Sequence, residues 1–125
     1  MKELIIEAAY NTPFIHFDPG TGEMRIEGRS IPENPDDLYM RLIKWLHSYF
    51  EEPCPLTRAI LKLEYVNSGS SKFLLEILRI MSKHHEQGKK CEVDWYYEEE
   101  DERIMELGYH FESTTELPFN MHIIY

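Results

Sequence analysis

A strand, a polar elbow and a helix follow one another without a gap between Leu61 and Leu78, and this run constrains the fold most. Leu61, Leu63 and Tyr65 alternate with charged residues, which is the pattern of a strand with one buried face. The elbow consists of Asn67, Ser68, Gly69 and Ser70. These residue types favour caps and turns, so we expect a helix to begin near Ser68. Apolar residues follow at helical spacing, at Leu74, Ile77, Leu78 and Met81.

A second strand follows this helix. The helix is predicted to run to about Gln87, because Gly88 is a typical C-terminal stop. Cys91, Val93 and Trp95 then alternate with acidic residues. Strand, helix and strand form a βαβ unit, which predicts two parallel strands joined by a right-handed crossover.

The N-terminal part of the sequence predicts short strands. Leu4–Ala8 is one, and Phe14–Phe17 and Glu23–Glu27 flank a loop rich in turn residues, which favours a hairpin. Residues Gly28–Glu33 are predicted to be a connector. Gly20 and Gly22 are assigned to the hairpin turn rather than to a phosphate loop, because no helix pattern follows them.

Two more helices and a last strand complete the predicted elements. Asn34 is expected to cap a helix with Pro35 at its first position. Residues Glu98–Asp101 are expected at the start of a third helix, where the dipole favours acidic side chains. The first of these helices carries a core stripe of Leu38, Leu42, Trp45, Leu46 and Tyr49, and the last strand alternates at Phe119, Met121 and Ile123.

In the alternating strands, polar residues occupy the positions between the apolar ones. Strands that are buried on both faces would instead show continuous apolar runs. We therefore predict an α/β fold with a mixed sheet and helices packed mainly on one face. The other face is expected to meet water or a partner. The polar positions are Arg25, Glu27, Lys62, Glu64, Glu92, Asp94, Asn120 and His122.

Length and charge restrict the function classes. At 125 residues the chain is expected to form one domain, residues 1–125. The net charge of −10 argues against nucleic acid or an anionic membrane as a partner, because both require a basic patch. Cys54 and Cys91 form no disulfide framework, and no apolar segment has the length of a signal or a membrane span. We expect a cytoplasmic protein with protein partners.

The residue spacing does not favour an enzyme or a metal site. Neighbouring His84 and His85 lie on a helix and point about 100° apart, and the other histidines lack ligand spacing. No nucleophile signature surrounds Cys54 or Cys91. No catalytic residue, metal site or cofactor is therefore predicted. From its chemistry alone, Ser68 is explained as a cap or turn residue.

Four motifs, in register over almost the whole chain, resemble the SiaC family of bacterial regulatory phosphoproteins. They are IPENPDDLY at 31–39, LEYVNSGSSK at 63–72, DWYYEEEDERIMEL at 94–107 and LPF at 117–119. The resemblance implies a fold similar to that of STAS-type anti-sigma factor antagonists. It also implies a Ser/Thr phosphoacceptor at the start of the helix after the central strand, and this position maps onto Ser68.

The resemblance further implies a switch between protein partners. The unmodified protein would bind and stimulate a diguanylate cyclase, in c-di-GMP signalling that controls biofilm formation. A partner kinase would phosphorylate Ser68 and block this binding, and a metal-dependent Ser/Thr phosphatase would reverse the modification. The partner-binding residues implied by the family motifs are Asn67, Gly69, Ser70, Ser71, Lys72, Tyr96 and Tyr97.

This sequence departs from the family motif at two positions, and alternatives stay open. The family acceptor is a threonine followed by a hydroxyl residue, whereas this chain has Ser68 followed by Gly69. Ser70 and Ser71 therefore compete with Ser68 as acceptors. An alternative function is that of an anti-sigma factor antagonist, and a small cytosolic enzyme is a third.

Overall fold

A computed structural model describes residues 1–125 as six strands and three helices. In chain order the elements are β1 (Leu4–Ile6), β2 (Phe14–Asp18), β3 (Glu23–Ser30), α1 (Asp36–Tyr49), β4 (Thr57–Val66), α2 (Ser68–Glu86), β5 (Cys91–Glu98), α3 (Glu102–Thr115) and β6 (Phe119–Ile124). None of the helices combines the length and the apolar character needed to cross a membrane.

The strands form one mixed sheet in which spatial order equals sequence order, from β1 to β6. β1, β2 and β3 are antiparallel neighbours, and β3 to β6 are parallel. Each parallel connection contains one helix. Successive right-handed crossovers that advance in one direction place all three helices on the same face of the sheet. The predicted parallel βαβ unit is confirmed as β4, α2 and β5.

The helix-covered face supplies the core. Across four adjacent strands Ile15 pairs with Ile26, Ile26 with Leu61, and Leu61 with Trp95, and all four side chains are buried. They belong to a single hydrophobic cluster of 25 buried residues that also includes the apolar stripes of the helices. The predicted fold class, a mixed α/β sheet with helices packed mainly on one face, is confirmed.

The opposite side, which we call the open sheet face, carries the polar positions named above. The guanidinium of Arg58 donates a hydrogen bond to Glu92 and lies 3.3 Å from the carboxylate of Asp94. The ring of His122 lies 3.1 Å from the same carboxylate. Ion pairs at this level of exposure contribute little to stability. They do satisfy the charges on a sheet face that no helix covers.

Two strand ends differ from the prediction. β1 ends at Ile6 rather than Ala8, because the chain turns soon after the Ile6–Ile15 pair, and the amide of Ala9 donates to the carbonyl of Thr12 within this turn. β3 continues to Ser30 through the predicted connector. The register shifts by one residue between Gly28, with φ of 109°, and Arg29, where Glu64 of β4 has no partner on β3, and Ser30 consequently pairs with Val66.

Two helix starts also differ from the prediction. The first helix is capped at Pro35 instead of Asn34, since the carbonyl of Pro35 already accepts the amide of Tyr39. The third helix begins at Glu102, with Asp101 as its N-cap. The acidic residues before it, Glu98 to Glu100, end β5 and form the following turn, so most of that charge run precedes the helix.

Candidate functional site

Asn67 follows β4 directly and caps α2. Its side-chain oxygen accepts the amide of Ser70 at 2.9 Å, and its side-chain nitrogen donates to the carbonyl of Pro32 at 3.0 Å. Its own amide donates to the carbonyl of Ser30. The elbow is therefore attached both to the end of β3 and to the segment before α1, which holds the first turn of α2 in a defined position.

Ser68 is the first residue of α2 and is exposed to solvent. It lies at the C-terminal end of β4, a central parallel strand, as the sequence predicts. The amides of Ser68 and Gly69 have no hydrogen-bond acceptor in the protein. Unpaired amides and the positive end of the helix dipole favour a negative charge at this position.

Ser70 has a different environment from Ser68. It is completely buried, and its hydroxyl accepts a hydrogen bond of 2.8 Å from the hydroxyl of Ser30. Ser30 also lies 2.6 Å from the hydroxyl of Tyr39. Burial raises the pKa of Tyr39, and its hydrogen bonds to Ser30 and Ser70 partly offset this. A kinase would have to unfold the start of α2 to reach Ser70.

Ser71 is intermediate between the other two serines. It is half-buried, and its amide donates to the carbonyl of Asn67 within the first turn. Of the three candidate acceptors, Ser68 alone is exposed.

Ser68 lines a cleft of about 400 Å³ between the end of β4 and the starts of α2 and α3. We call it the elbow cleft. The guanidinium of Arg103 lies over the ring of Tyr65, 5.2 Å from its centroid, and donates to its hydroxyl at 3.4 Å. That hydrogen bond raises the pKa of Arg103. The side chains that matter here are Glu64, Tyr65, Ser68, Ser71, Asp101 and Arg103.

Gly69 packs against Pro35. A Cβ at Gly69 would lie 3.0 Å from the Cγ of Pro35, so a larger residue at this position requires the proline ring to move. Glycine in place of the family's hydroxyl residue is thus consistent with the tight contact between the elbow and the start of α1. Lys72 is exposed one turn further along α2, in a separate groove with Pro35 and Asp36.

The two tyrosines of the DWYYEEEDERIMEL motif lie on opposite faces of the sheet. Tyr96 is half-buried on the open sheet face, where its ring stacks on His122 at 4.5 Å and lies 4.6 Å from the amino group of Lys62. Tyr97 is buried on the helix-covered face. Ser70 is completely buried and Tyr97 is 7% exposed, so a partner would reach little of either side chain. The partner role stays a prediction for all seven residues named from the family motifs.

The structure brings together one possible set of metal ligands that sequence spacing did not indicate. Glu3, His16 and Asp18 offer ligand atoms within 4.8 Å of one another, and His16 lies 3.0 Å from Glu3. Glu3 precedes β1 whereas the other two residues are on β2, so only strand pairing reveals the group. Asp18 pairs with Glu23 at the start of β3, so the group lies at the opposite end of the sheet from the elbow.

Neither cysteine nor the histidine pair forms a nucleophilic centre. Burial raises the pKa of the Cys91 thiol to about 12, so it stays protonated. The ring of His84 stacks on Phe50, whereas His85 accepts the amide of Cys91, so the two histidines point apart as predicted. Cys54 is half-buried and its thiol donates to the carbonyl of Pro19.

The comparisons with known proteins identify the family. Residues 6–124 match the family model described as "SiaC family regulatory phosphoprotein". An uncharacterised protein of Pseudomonas aeruginosa strain UCBPP-PA14 is 29% identical over 119 residues, which cover 95% of this chain and 94% of that protein.

Solved structures extend this similarity to three dimensions. The crystal structure of apo-SiaC from Pseudomonas aeruginosa has a TM-score of 0.90 and 27% identity, over 98% of this chain and 99% of that one. SiaC in the crystal structure of the diguanylate cyclase SiaD with its activator SiaC, from the same organism, has a TM-score of 0.91 and 28% identity, over 97% and 99%. The chain therefore belongs to the SiaC family of regulatory phosphoproteins.

Proposed function

We propose that this protein is a phosphorylation-switched activator of a diguanylate cyclase and has no catalytic activity of its own. The observation that carries the proposal is the placement of Ser68, exposed at the start of α2, while Ser70 is buried and Ser71 is half-buried. The relative that forms a complex with a diguanylate cyclase as its activator shares the fold over nearly the whole chain.

In this proposal the unmodified elbow binds and stimulates the cyclase in the cytoplasm. Phosphate on Ser68 adds about −1.5 to −2 charge at pH 7. A partner surface complementary to a neutral hydroxyl would then meet a hydrated dianion, and the cost of desolvating it would weaken binding. A partner Ser/Thr kinase adds the phosphate and a metal-dependent phosphatase removes it.

The test uses the purified protein, its cognate kinase with ATP, and the cyclase. We expect phosphate on Ser68, strong binding and stimulation by unmodified protein, and loss of both after phosphorylation. Ser68→Ala should keep cyclase binding and abolish phosphorylation. Ser68→Asp should weaken binding less than phosphate does, because a carboxylate carries less charge. Ser48→Ala, which changes an exposed serine near the end of α1, is the matched control and should behave as wild type.

Two results would reject the switch. One is equal cyclase affinity of the phosphorylated protein and Ser68→Ala. The other is binding to an anti-sigma kinase but not to the cyclase, which would support the anti-sigma antagonist alternative. Phosphopeptide mapping to Ser71 would move the acceptor within the first turn and leave the switch in place.

A further substitution tests whether the open sheet face takes part in cyclase binding. Tyr96→Ala removes an aromatic ring that is half-exposed between His122 and Lys62, and large aromatic residues often dominate interface energies. We expect weaker cyclase binding with unchanged phosphorylation of Ser68. Tyr10→Ala removes a more exposed tyrosine before β2 and is the control. Equal affinity of both variants would show that Tyr96 does not contribute to cyclase binding.

A further inference from the structure

Arg103 is the one basic side chain that lines the elbow cleft. It lies in the first turn of α3, where the positive end of the helix dipole disfavours a cation. The residues before it in the chain are acidic, and the charge of Asp101 contributes to the raised pKa of Arg103. No carboxylate lies within ion-pair distance of the guanidinium, however, so Arg103 is not committed to an anionic partner within the protein.

The present partner of Arg103 is neutral and weakly held. Its guanidinium contacts only the ring and hydroxyl of Tyr65, in a hydrogen bond at the long limit of 3.4 Å. Both side chains are exposed. An anion at the mouth of the cleft would compete effectively for this guanidinium, because a phosphate accepts two parallel N–H···O bonds and carries the opposite charge, whereas the neutral hydroxyl accepts one long bond.

The Ser68 side chain opens into the same cleft, opposite α3. The start of α2 offers only two free amides, those of Ser68 and Gly69, because the Asn67 side chain occupies the amide of Ser70. A phosphoserine dianion has three acceptor oxygens and needs further donors. A guanidinium supplies them in a planar fork that matches phosphate.

We propose that the guanidinium of Arg103 binds the phosphate on Ser68 within the same molecule, and we call this the receiver role of Arg103. This inference rests on the proposed function, which makes Ser68 the acceptor. On phosphorylation the guanidinium leaves Tyr65 and binds the phosphoryl oxygens, which links the starts of α2 and α3. Phosphorylation then does more than add charge: it removes a cation from the surface and frees the ring of Tyr65. Glu64 and Asp101, the carboxylates of the cleft, oppose the phosphate.

The test places phosphoserine at position 68 during biosynthesis, by suppression of an amber codon. The phosphorylated protein is then obtained without the kinase. The second pKa of the phosphate is then measured by ³¹P NMR titration. A nearby cation favours the dianion and lowers this pKa. We expect Arg103→Gln to raise it by about 0.5 unit or more relative to wild type, and Arg103→Lys to give a smaller rise. Glu64, Tyr65 and Asp101 are unchanged in all variants.

Arg79→Gln is the matched control, because it removes one exposed positive charge from α2 outside the elbow cleft. Its phosphate should titrate as in wild type. The receiver role is overturned if Arg103→Gln titrates as wild type does or shifts no more than Arg79→Gln. Thermal melts verify that each variant is folded.

Cyclase binding separates this inference from the proposed function. If phosphate blocks binding but Arg103→Gln leaves the phosphate pKa unchanged, the switch stands and the receiver role fails. If the pKa shifts but phosphate does not affect cyclase binding, Arg103 is the receiver and the proposed function fails.

Discussion

The hydroxyl of Ser30 donates a 2.8 Å hydrogen bond to the hydroxyl of Ser70, and both side chains are completely buried. Ser30 ends β3 and Ser70 lies in the first turn of α2, so this contact joins two elements that are distant in sequence. Tyr39 of α1 extends it, 2.6 Å from Ser30. Three polar side chains thus satisfy one another directly beneath the elbow.

The first prediction concerns this group. Ser30→Ala leaves the hydroxyls of Ser70 and Tyr39 buried with one partner fewer, which should lower the free energy of unfolding by about 1–3 kcal/mol. Urea titration followed by circular dichroism measures the change. The double variant Ser30→Ala, Tyr39→Phe should lose less free energy of unfolding than the two single variants together, because it also removes the phenol hydroxyl that Ser30→Ala leaves without this partner. Additive losses would argue against coupling.

The second prediction concerns the cap of α2. Asn67→Ala removes the acceptor of the Ser70 amide and the donor to Pro32, and should cost about 1–2 kcal/mol of stability. The start of α2 should fray, which hydrogen exchange of the first-turn amides measures. Asn67→Asp restores the acceptor but not the donor, and should recover part of the loss. Unchanged exchange rates in Asn67→Ala would show that the cap does not hold Ser68 in place.

The third prediction concerns the contact of α3 with the sheet. A Cβ at Gly108 would lie 2.5 Å from the indole nitrogen of Trp95, which is buried and donates to the carbonyl of Ile104. Gly108→Ala should therefore destabilise the protein by about 1–3 kcal/mol, although alanine favours helices. Glu106→Ala, on the exposed side of α3, should leave the melting temperature nearly unchanged. A Gly108→Ala protein as stable as wild type would show that the indole can move.

The fourth prediction concerns alkaline pH. Burial raises the pKa of the Cys91 thiol from 9.0 to about 12, so the folded protein retains a proton that the unfolded chain loses above pH 9. Stability from this group is complete below about pH 9 and is lost as the pH rises towards 12. Urea titrations at pH 8 and pH 10.5 should show a smaller decrease for Cys91→Ala than for wild type. Burial also raises the pKa of Tyr39 and Tyr49, so some decrease should remain.

Thiol labelling provides a separate check of the same buried group. Cys54 is half-buried and should react with a thiol reagent under native conditions, whereas Cys91 should react only after unfolding. Equal reaction rates of the two thiols in the folded protein would contradict the predicted burial effect.

The sequence predicts much of this architecture because its strands have one polar and one apolar face. Alternation at Leu61 to Tyr65 and at Cys91 to Trp95 predicted two strands, and the polar elbow placed the start of α2 correctly. The errors lie at the ends of elements, because pairing with distant parts of the chain determines where a strand ends. The pairing of Ser30 with Val66 extended β3, and this pairing depends on β4, a strand far along the chain.

The elbow cleft could not be predicted in the same way. Ser68 and Arg103 belong to different helices, and only the packing of α3 beside α2 brings both into one cleft. The burial of Ser70 depends on Ser30 and Tyr39, so the contrast with Ser68 is a tertiary property. One signal was available for Arg103, since the helix dipole disfavours a cation in the first turn of a helix.

The sequential strand order has a consequence for a chain that is still being synthesised. Each strand pairs with the strand made immediately before it, so the sheet can grow from β1 towards β6 in the order of translation. The elbow is complete once α2 has emerged, but the wall of the cleft that contains Arg103 emerges only with α3. A nascent protein would therefore expose Ser68 before it contains the arginine that we propose as the receiver of its phosphate.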